Sequence, residues 1–171
     1  MTLQGPPGAL NWRQRLRRAI AFPNRRAAAK FVDDVCRPAF QEVAHELREQ
    51  GVEAEVLEGV DEETGLAHVD LRVPIGPDDE FVYGVRPVEL PTPAFATRSV
   101  STHDTYVRFE VRLAEGNQDY DVMGYTKEQL IADSLDQYER HLEFLRVRHE
   151  ADIRSGFPGH RPDAPEAHLP E

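Results

Sequence analysis

The clearest pattern of apolar positions lies in the last third of the chain, where apolar side chains recur at helical spacing. Thr126 precedes Gln129 at the spacing of a capping box, in which each side chain pairs with the other residue's backbone N–H. The opposite face is charged, so the pattern predicts an amphipathic helix from about residue 127 to 149. Its apolar stripe consists of Leu130, Ile131, Leu135, Tyr138, Leu142 and Leu145.

A second long helix is predicted between Asn24, which is suited to cap its first turn, and Gly51, which is suited to end it. Pro38 lies inside this helix and should kink it, because proline removes one backbone hydrogen bond. The stripe expected to be buried consists of Phe31, Val32, Val35, Ala39, Val43 and Leu47.

A shorter pattern at residues 11–22 predicts an amphipathic helix with a basic polar side. Asn11 is a plausible N-cap, and Pro23 ends the helix because the preceding residue is forced away from helical backbone angles. Trp12, Leu16, Ala19 and Ile20 fall within about 100° of the helical circumference. The arginines Arg13, Arg15, Arg17 and Arg18 occupy the rest.

Between the two long helices, alternation of apolar and polar side chains predicts four strands, at residues 52–57, 66–73, 81–85 and 105–114. The segment 86–104 contains Pro87, Pro91 and Pro93 and is predicted to form no regular element, serving as a packed strip or as a contact for another protein. One-sided alternation in the last strand means that one face of the sheet is covered.

These elements predict an α+β fold. A four-stranded antiparallel meander would carry the two long helices on one face, with the short basic amphipathic helix added at the N-terminus. The predicted organisation is a flexible leader at 1–10, the basic helix at 11–22, an α+β domain at 23–150 and a disordered tail at 151–171.

Charge is distributed unevenly along the 171 residues. The net charge is −11, yet residues 1–32 hold seven basic residues and no acidic one. The remaining residues therefore hold 13 of the 20 basic residues and all 31 acidic ones, a net charge of −18. Such a body repels nucleic acid, so we expect no nucleic-acid partner, whereas the basic helix is suited to an anionic lipid surface. Docking of this helix on its own domain is the alternative.

No pattern of residues indicates an enzyme, a metal site or a cofactor site. The acidic clusters 61–63 and 78–80 lack the ligand spacing of a calcium loop and are typical of solvated turns. His68 and Asp70 share one strand face and are the best polar pair, which an exposed patch also explains. Cys36, the only cysteine, fits a buried structural thiol.

The segment 119–125 is too apolar for an idle loop. Gly124 permits a positive φ angle, and the segment would either pin the junction between strand and helix to the core or dock a partner. The candidate docking residues are Asp119, Tyr120, Asp121, Met123 and Tyr125.

The same region carries a family resemblance. Residues 120–131 (YDVMGYTKEQLI) and 135–145 (LDQYERHLEFL) resemble the C-terminal cytoplasmic domain of BetT-type choline transporters of the betaine/choline/carnitine transporter (BCCT) family. Segments 11–16 (NWRQRL), 81–85 (FVYGV) and 93–95 (PAF) match in the same order, so the resemblance covers residues 10 to 146.

The resemblance implies a regulatory domain that adjusts choline uptake to osmotic conditions, in support of glycine betaine synthesis. It also implies a membrane-embedded transporter domain as partner, a trimeric assembly and a place on the cytoplasmic face of the bacterial inner membrane. No stretch here is apolar enough to span a bilayer, so this chain is not expected to transport by itself. The alternative hypothesis is a stand-alone ligand-binding or protein-interaction module of the same fold class.

Overall fold

The computed structural model describes residues 10–96 and 104–156, and its centre is a five-stranded antiparallel sheet in the order β1-β2-β3-β4-β5. The predicted α+β class and antiparallel meander are confirmed, but the prediction of four strands is wrong. The strands are β1 (Glu55–Val60), β2 (Ala67–Ile75), β3 (Asp79–Pro91), β4 (Thr105–Leu113) and β5 (Gly116–Asp121).

The additional strand is β5, which lies between the last predicted strand and the predicted helix, where the sequence indicated no strand. Its sequence GNQDYD shows no alternation because neither face is deeply buried. Backbone pairing with β4 creates the strand instead, with Leu113 opposite Gly116 and Glu110 opposite Asp121 across a bulge. Alternation of apolar and polar residues arises when one face of a strand is buried, so an edge strand with both faces exposed to solvent shows little alternation.

The third strand is much longer than predicted because it continues through two prolines. Pro87 lies opposite Phe109 and Pro91 opposite Thr105, both on β4. Pairing with β2 ends at Val85, so beyond that residue β3 has a free edge. A free edge is where a strand tolerates a residue that has no N–H to donate.

The number and packing of the helices also differ from the prediction. The helix predicted after Asn24 runs without interruption, but its middle turn is π-helical, where the Arg37 N–H donates to the Val32 carbonyl five residues earlier. This wider turn lies just before Pro38, the residue at which the sequence predicted a kink. The helices are α1 (Trp12–Ile20), α2 (Arg25–Phe31), the π segment Val32–Cys36, α3 (Arg37–Glu49) and α4 (Lys127–Arg154).

One face of the sheet and the helices α2 and α3 enclose the core. Phe31 packs on Phe109, with ring centroids 5.3 Å apart, and Phe40 meets Tyr83 edge to face at 5.6 Å. The opposite sheet face carries polar residues of β2 and β4, such as Asp70 and Arg108, together with apolar residues of β3, such as Val82 and Val88. The helices on one face confirm the one-sided cover that the alternation predicted.

The chain divides into two compact units, with the boundary after Tyr138 in α4. The first unit includes the first turns of α4, where Leu130 and Ser134 are buried and Tyr138 contacts Phe81. Within the first unit, these first turns of α4 pack against the core. The prediction of two long helices packed on one face was wrong in the number and packing of the helices. The second unit contains the remainder of α4, which ends at Arg154. The predicted leader, except for Leu10, and the predicted tail beyond residue 156 lie outside the described residues.

Cys36 is fully buried in the π segment, and this burial raises the pKa of its thiol to about 12. At pH 8 we expect an aromatic disulfide reagent to modify the folded protein at least about 1000-fold more slowly than the unfolded protein, because only the thiolate reacts. Absorbance kinetics with and without denaturant measure this ratio. Rapid modification of the folded protein would contradict a buried structural thiol.

Candidate functional site

Helix α1 begins with a complete capping box. The Gln14 N–H donates to Asn11 Oδ1, and the Asn11 N–H donates to Gln14 Oε1, both at 3.0 Å. The helix ends at Ile20, and Ala21 is already extended, two residues before Pro23. Local sequence therefore determines both ends of this nine-residue helix.

The polar side of α1 faces the body of the protein, and Arg18 makes the principal contacts. Its Nε donates to the Met123 carbonyl oxygen at 3.0 Å, and its Nη2 donates to the Asp121 carbonyl oxygen. The guanidinium also lies 4.9 Å from the ring centroid of Tyr125 and 3.9 Å from the Asp121 carboxylate. Arg18 thus binds the junction between β5 and α4 mainly through backbone oxygens and a ring face.

Two further features support this docking. Gln129, in the first turn of α4, donates to Gln14 Oε1 at 3.2 Å. Gly124 has a φ of +84°, and a Cβ there would lie 3.4 Å from Arg18 Cγ. A side chain at this position would strain the backbone and press on the docked arginine.

The apolar side of α1 faces away from the body. Trp12, Leu16 and Ile20 are 63%, 53% and 52% exposed. At 100° per residue these three positions span about 80°, and the docked pair Gln14 and Arg18 lies on the opposite side of the helix. The helix is therefore docked the reverse way from an ordinary surface helix, which buries its apolar stripe.

Arginines border this outward apolar face on both sides. Arg13 and Arg17 follow Ile20 around the circumference, and Arg15 lies beyond Trp12 on the other side. All three are exposed, and the Arg13 guanidinium lies 4.3 Å from the centre of the Trp12 ring. We refer to Trp12, Leu16, Ile20 and these three arginines as the outward face of α1.

The junction that receives Arg18 is held in place by its own side chains. Asp121 Oδ1 accepts hydrogen bonds from the backbone N–H of Phe109, at 3.0 Å, and of Met123, at 2.9 Å. Burial raises the pKa of the Asp121 carboxyl, while these hydrogen bonds and the neighbouring Arg18 and Arg108 oppose the shift. A junction fixed in this way presents its carbonyl oxygens to α1 without rearrangement.

A second anchor fixes the junction to the core. The hydroxyls of Tyr120 and Tyr83 both donate to Asp133 Oδ2 in α4, the first at 2.6 Å. Burial and the nearby carboxylate raise the pKa of both tyrosines, so each remains a neutral donor. The capping box predicted for α4 is also present, since Thr126 and Gln129 exchange hydrogen bonds at 2.9 and 3.2 Å.

A cleft of about 590 Å³ lies beside α1, on the side of Arg17. One wall is a row of aromatic rings in which Phe22 contacts Tyr106 at 5.2 Å and Phe95 at 6.2 Å, both edge to face. Arg17 and Arg108 also line the cleft. No local sequence pattern indicates this cleft, because its residues come from α1 and the linker after it, the segment that follows β3, strand β4, and the junction between β5 and α4.

The polar pair His68 and Asp70 lies on the uncovered sheet face. Asp70 is buried, and its carboxylate accepts hydrogen bonds from both terminal nitrogens of Arg86, the one from Nη2 at 2.7 Å. His68 Nδ1 also lies 2.7 Å from Arg86 Nη1. Burial and the adjacent Arg86 lower the pKa of His68. The Arg86 guanidinium thus links His68 and Asp70, a contact that their spacing in the sequence did not indicate. Among residues 10–96 and 104–156, no group of three or more His, Cys, Asp or Glu side chains could hold a metal ion.

The structure places the predicted contact residues in two groups. Trp12, Leu16 and Ile20 are presented outward with the three exposed arginines. Arg18 is separated from them and contacts the predicted docking turn. Within that turn, Asp121, Met123 and Tyr125 line the seat of α1, Tyr120 contacts Asp133, and Asp119 is exposed with a φ of 58°. Sequence reasoning missed Gln14 and the special place of Arg18, because four arginines within six positions give no sign of which one faces inward.

No family model matches the chain. It is 42% identical over 160 residues to the high-affinity choline transport protein of Escherichia coli (strain K12), which is 92% of this chain and 23% of that protein. It is 37% identical over 158 residues to the osmo-dependent choline transporter BetT2 of Acinetobacter baylyi, a match that covers 92% of this chain and 22% of that transporter. It is 34% identical over 140 residues to the glycine betaine transporter of the same organism, a match that covers 80% of this chain and 20% of that transporter. The chain spans less than a quarter of the length of these relatives. Within its described residues, no helix has both the length and the apolar character needed to cross a bilayer.

Proposed function

This chain is homologous to one segment of the BetT-type choline transporters, and we propose that it is a regulatory domain that adjusts such a transporter to osmotic conditions. In this proposal it lies on the cytoplasmic face of a bacterial inner membrane and acts on a membrane-embedded transporter domain. It performs no transport itself. Choline imported under its control would feed synthesis of glycine betaine for osmoprotection.

The observation that carries the proposal is the reversed docking of α1. An apolar helix face is normally buried, yet Trp12, Leu16 and Ile20 point outward while Gln14 and Arg18 hold the helix to the body. An apolar arc bordered by arginines is the pattern of a helix that lies in a membrane interface. We infer that the outward face of α1 binds an anionic lipid surface next to the transporter.

Ionic strength is the osmotic signal that this arrangement can detect. The attraction of Arg13, Arg15 and Arg17 to anionic lipid is screened as the Debye length falls from about 10 Å at 0.1 M to about 3 Å at 1 M salt. The Arg18 contact depends less on salt, because most of its bonds go to backbone oxygens and a partly buried ring. Rising salt therefore weakens the lipid contact before the docked contact, and the domain shifts its position at the membrane.

A transport assay tests this proposal in the full-length protein that contains the segment. We expect substitution of Arg13, Arg15 and Arg17 by Gln to reduce the osmotic stimulation of choline uptake several-fold, because the charge that responds to salt is gone. Uptake of radiolabelled choline is measured across an osmolality series. Lys30, Arg37 and Arg48 changed to Gln provide a control with the same loss of charge away from α1.

The two possible failures have different meanings. Unchanged osmotic stimulation in the triple variant would contradict sensing through α1. A reading frame with no membrane-spanning segments next to this chain would instead favour the stand-alone module. Trimeric assembly follows from the family resemblance alone and is a separate proposal.

A further inference from the structure

The cleft beside α1 combines an apolar wall with a cationic rim, and we propose that it binds an amphiphilic anion, an anionic head group carried on an acyl or alkyl chain. Its volume of about 590 Å³ admits a short chain together with a head group. The apolar residues of the outward face, Trp12, Leu16 and Ile20, do not line the cleft, and Arg17 is the one residue that the cleft shares with that face.

The wall is suited to a hydrocarbon chain and unsuited to a compact cation. Phe22 meets both Tyr106 and Phe95 edge to face, so the three rings form a continuous surface and do not enclose a cage. Pro23 and Pro93 extend this surface. Phe95 is 78% exposed, and the apolar area it presents to water would be covered by a bound chain.

The charges around the cleft select an anion. Arg17, Arg18 and Arg108 line it against one carboxylate, that of Asp121. Arg108 Nε and Arg18 Nη2 both lie within 4 Å of that carboxylate, and Arg108 Nη2 also lies 3.6 Å from Glu110 Oε1. The unmatched positive charge at the cleft therefore comes from Arg17. Arg17 makes no ion pair or hydrogen bond within the described part of the chain. This excess of positive charge lies in a protein whose net charge is −11, so it is a local feature.

The anionic amphiphile can be a membrane lipid or a free molecule in solution. A soluble monomeric amphiphile tests binding to the cleft itself, because no membrane or micelle surface is present to which the protein could adsorb. We expect decyl phosphate, kept below its critical micelle concentration, to bind the 171-residue chain in calorimetry. Butyl phosphate should bind at least tenfold more weakly, because less of its chain is buried. Inorganic phosphate should show no measurable binding, and decyltrimethylammonium should bind more weakly than decyl phosphate despite the acidity of the protein.

Two exposed arginines of the same helix provide the matched variants. We expect Arg17→Gln to weaken decyl phosphate binding about tenfold, because one charge-assisted contact is lost. Arg13→Gln should leave the affinity unchanged, because Arg13 also belongs to the outward face but does not line the cleft. Phe95→Gln should weaken binding of decyl phosphate while having no effect on folding, since this side chain is largely exposed.

Location is read from backbone amide shifts, which should change at residues 106–108 and 121–124. Equal effects of Arg13→Gln and Arg17→Gln, equal binding of the cationic and anionic amphiphiles, or shifts confined to residues around Trp12 would each overturn the proposal. Binding to anionic vesicles without binding of monomeric decyl phosphate would also overturn it, while leaving the lipid contact of the outward face intact.

Discussion

Replacement of Trp12, Leu16 and Ile20 by Gln is expected to lower binding of this chain to anionic vesicles about 100-fold or more. Each of these side chains has more than half of its surface exposed, so this area remains available for burial at a lipid interface. Full burial of a large apolar side chain contributes about 1.5–3 kcal/mol, so the remaining halves of three such residues contribute roughly 3 kcal/mol. Glutamine preserves helix propensity, and the docked contacts of Arg18 are untouched.

Vesicle sedimentation with phosphatidylglycerol-containing and neutral vesicles measures this effect. The matched control replaces Phe144, Val147 and Ile153 by Gln, since these residues of α4 are 61%, 56% and 61% exposed. We expect this control to bind like the wild type. Equal loss of binding in both variants would mean that general apolar exposure, and not the outward face of α1, is responsible. Unchanged binding in the α1 variant would rule out the lipid contact.

Asp133→Ala is expected to lower the free energy of unfolding by about 2–5 kcal/mol. The carboxylate accepts hydrogen bonds from Tyr83 and Tyr120, and Tyr83 is fully buried. A buried donor left without a partner costs about 1–3 kcal/mol, and here two donors lose theirs. Denaturant unfolding followed by circular dichroism measures the difference, and the slope against denaturant should remain unchanged.

A double-mutant cycle distinguishes this cause from a simple loss of packing. Tyr83→Phe removes one of the two donors, so adding it to Asp133→Ala should cost less than it does in the wild-type background. Asp136→Ala, one turn further along α4 and exposed, should change stability by no more than about 0.5 kcal/mol. Strictly additive effects of Tyr83→Phe and Asp133→Ala would contradict the shared carboxylate.

Sequence patterns determined the elements that bury one face. Alternation located the buried strands, and caps at Asn11, Asn24 and Thr126 located the starts of the helices, because these signals depend only on neighbours along the chain. Ordered matches along the chain identified the transporter relatives before any contact was known. The amphipathic character of α1 was likewise visible, since it is a property of nine consecutive residues.

Tertiary structure decided what depends on partners distant in sequence. Strand β5 and the extension of β3 through Pro87 exist because β4 supplies backbone partners, which no local pattern encodes. The π segment fixed which residues after Cys36 face the core, so Phe40 is buried although the predicted stripe omitted it. The direction of α1 was decided in the same way. Its sequence defines an apolar and a basic side, but only the carbonyl oxygens of Asp121 and Met123 determine that Arg18 faces inward and the apolar side faces out.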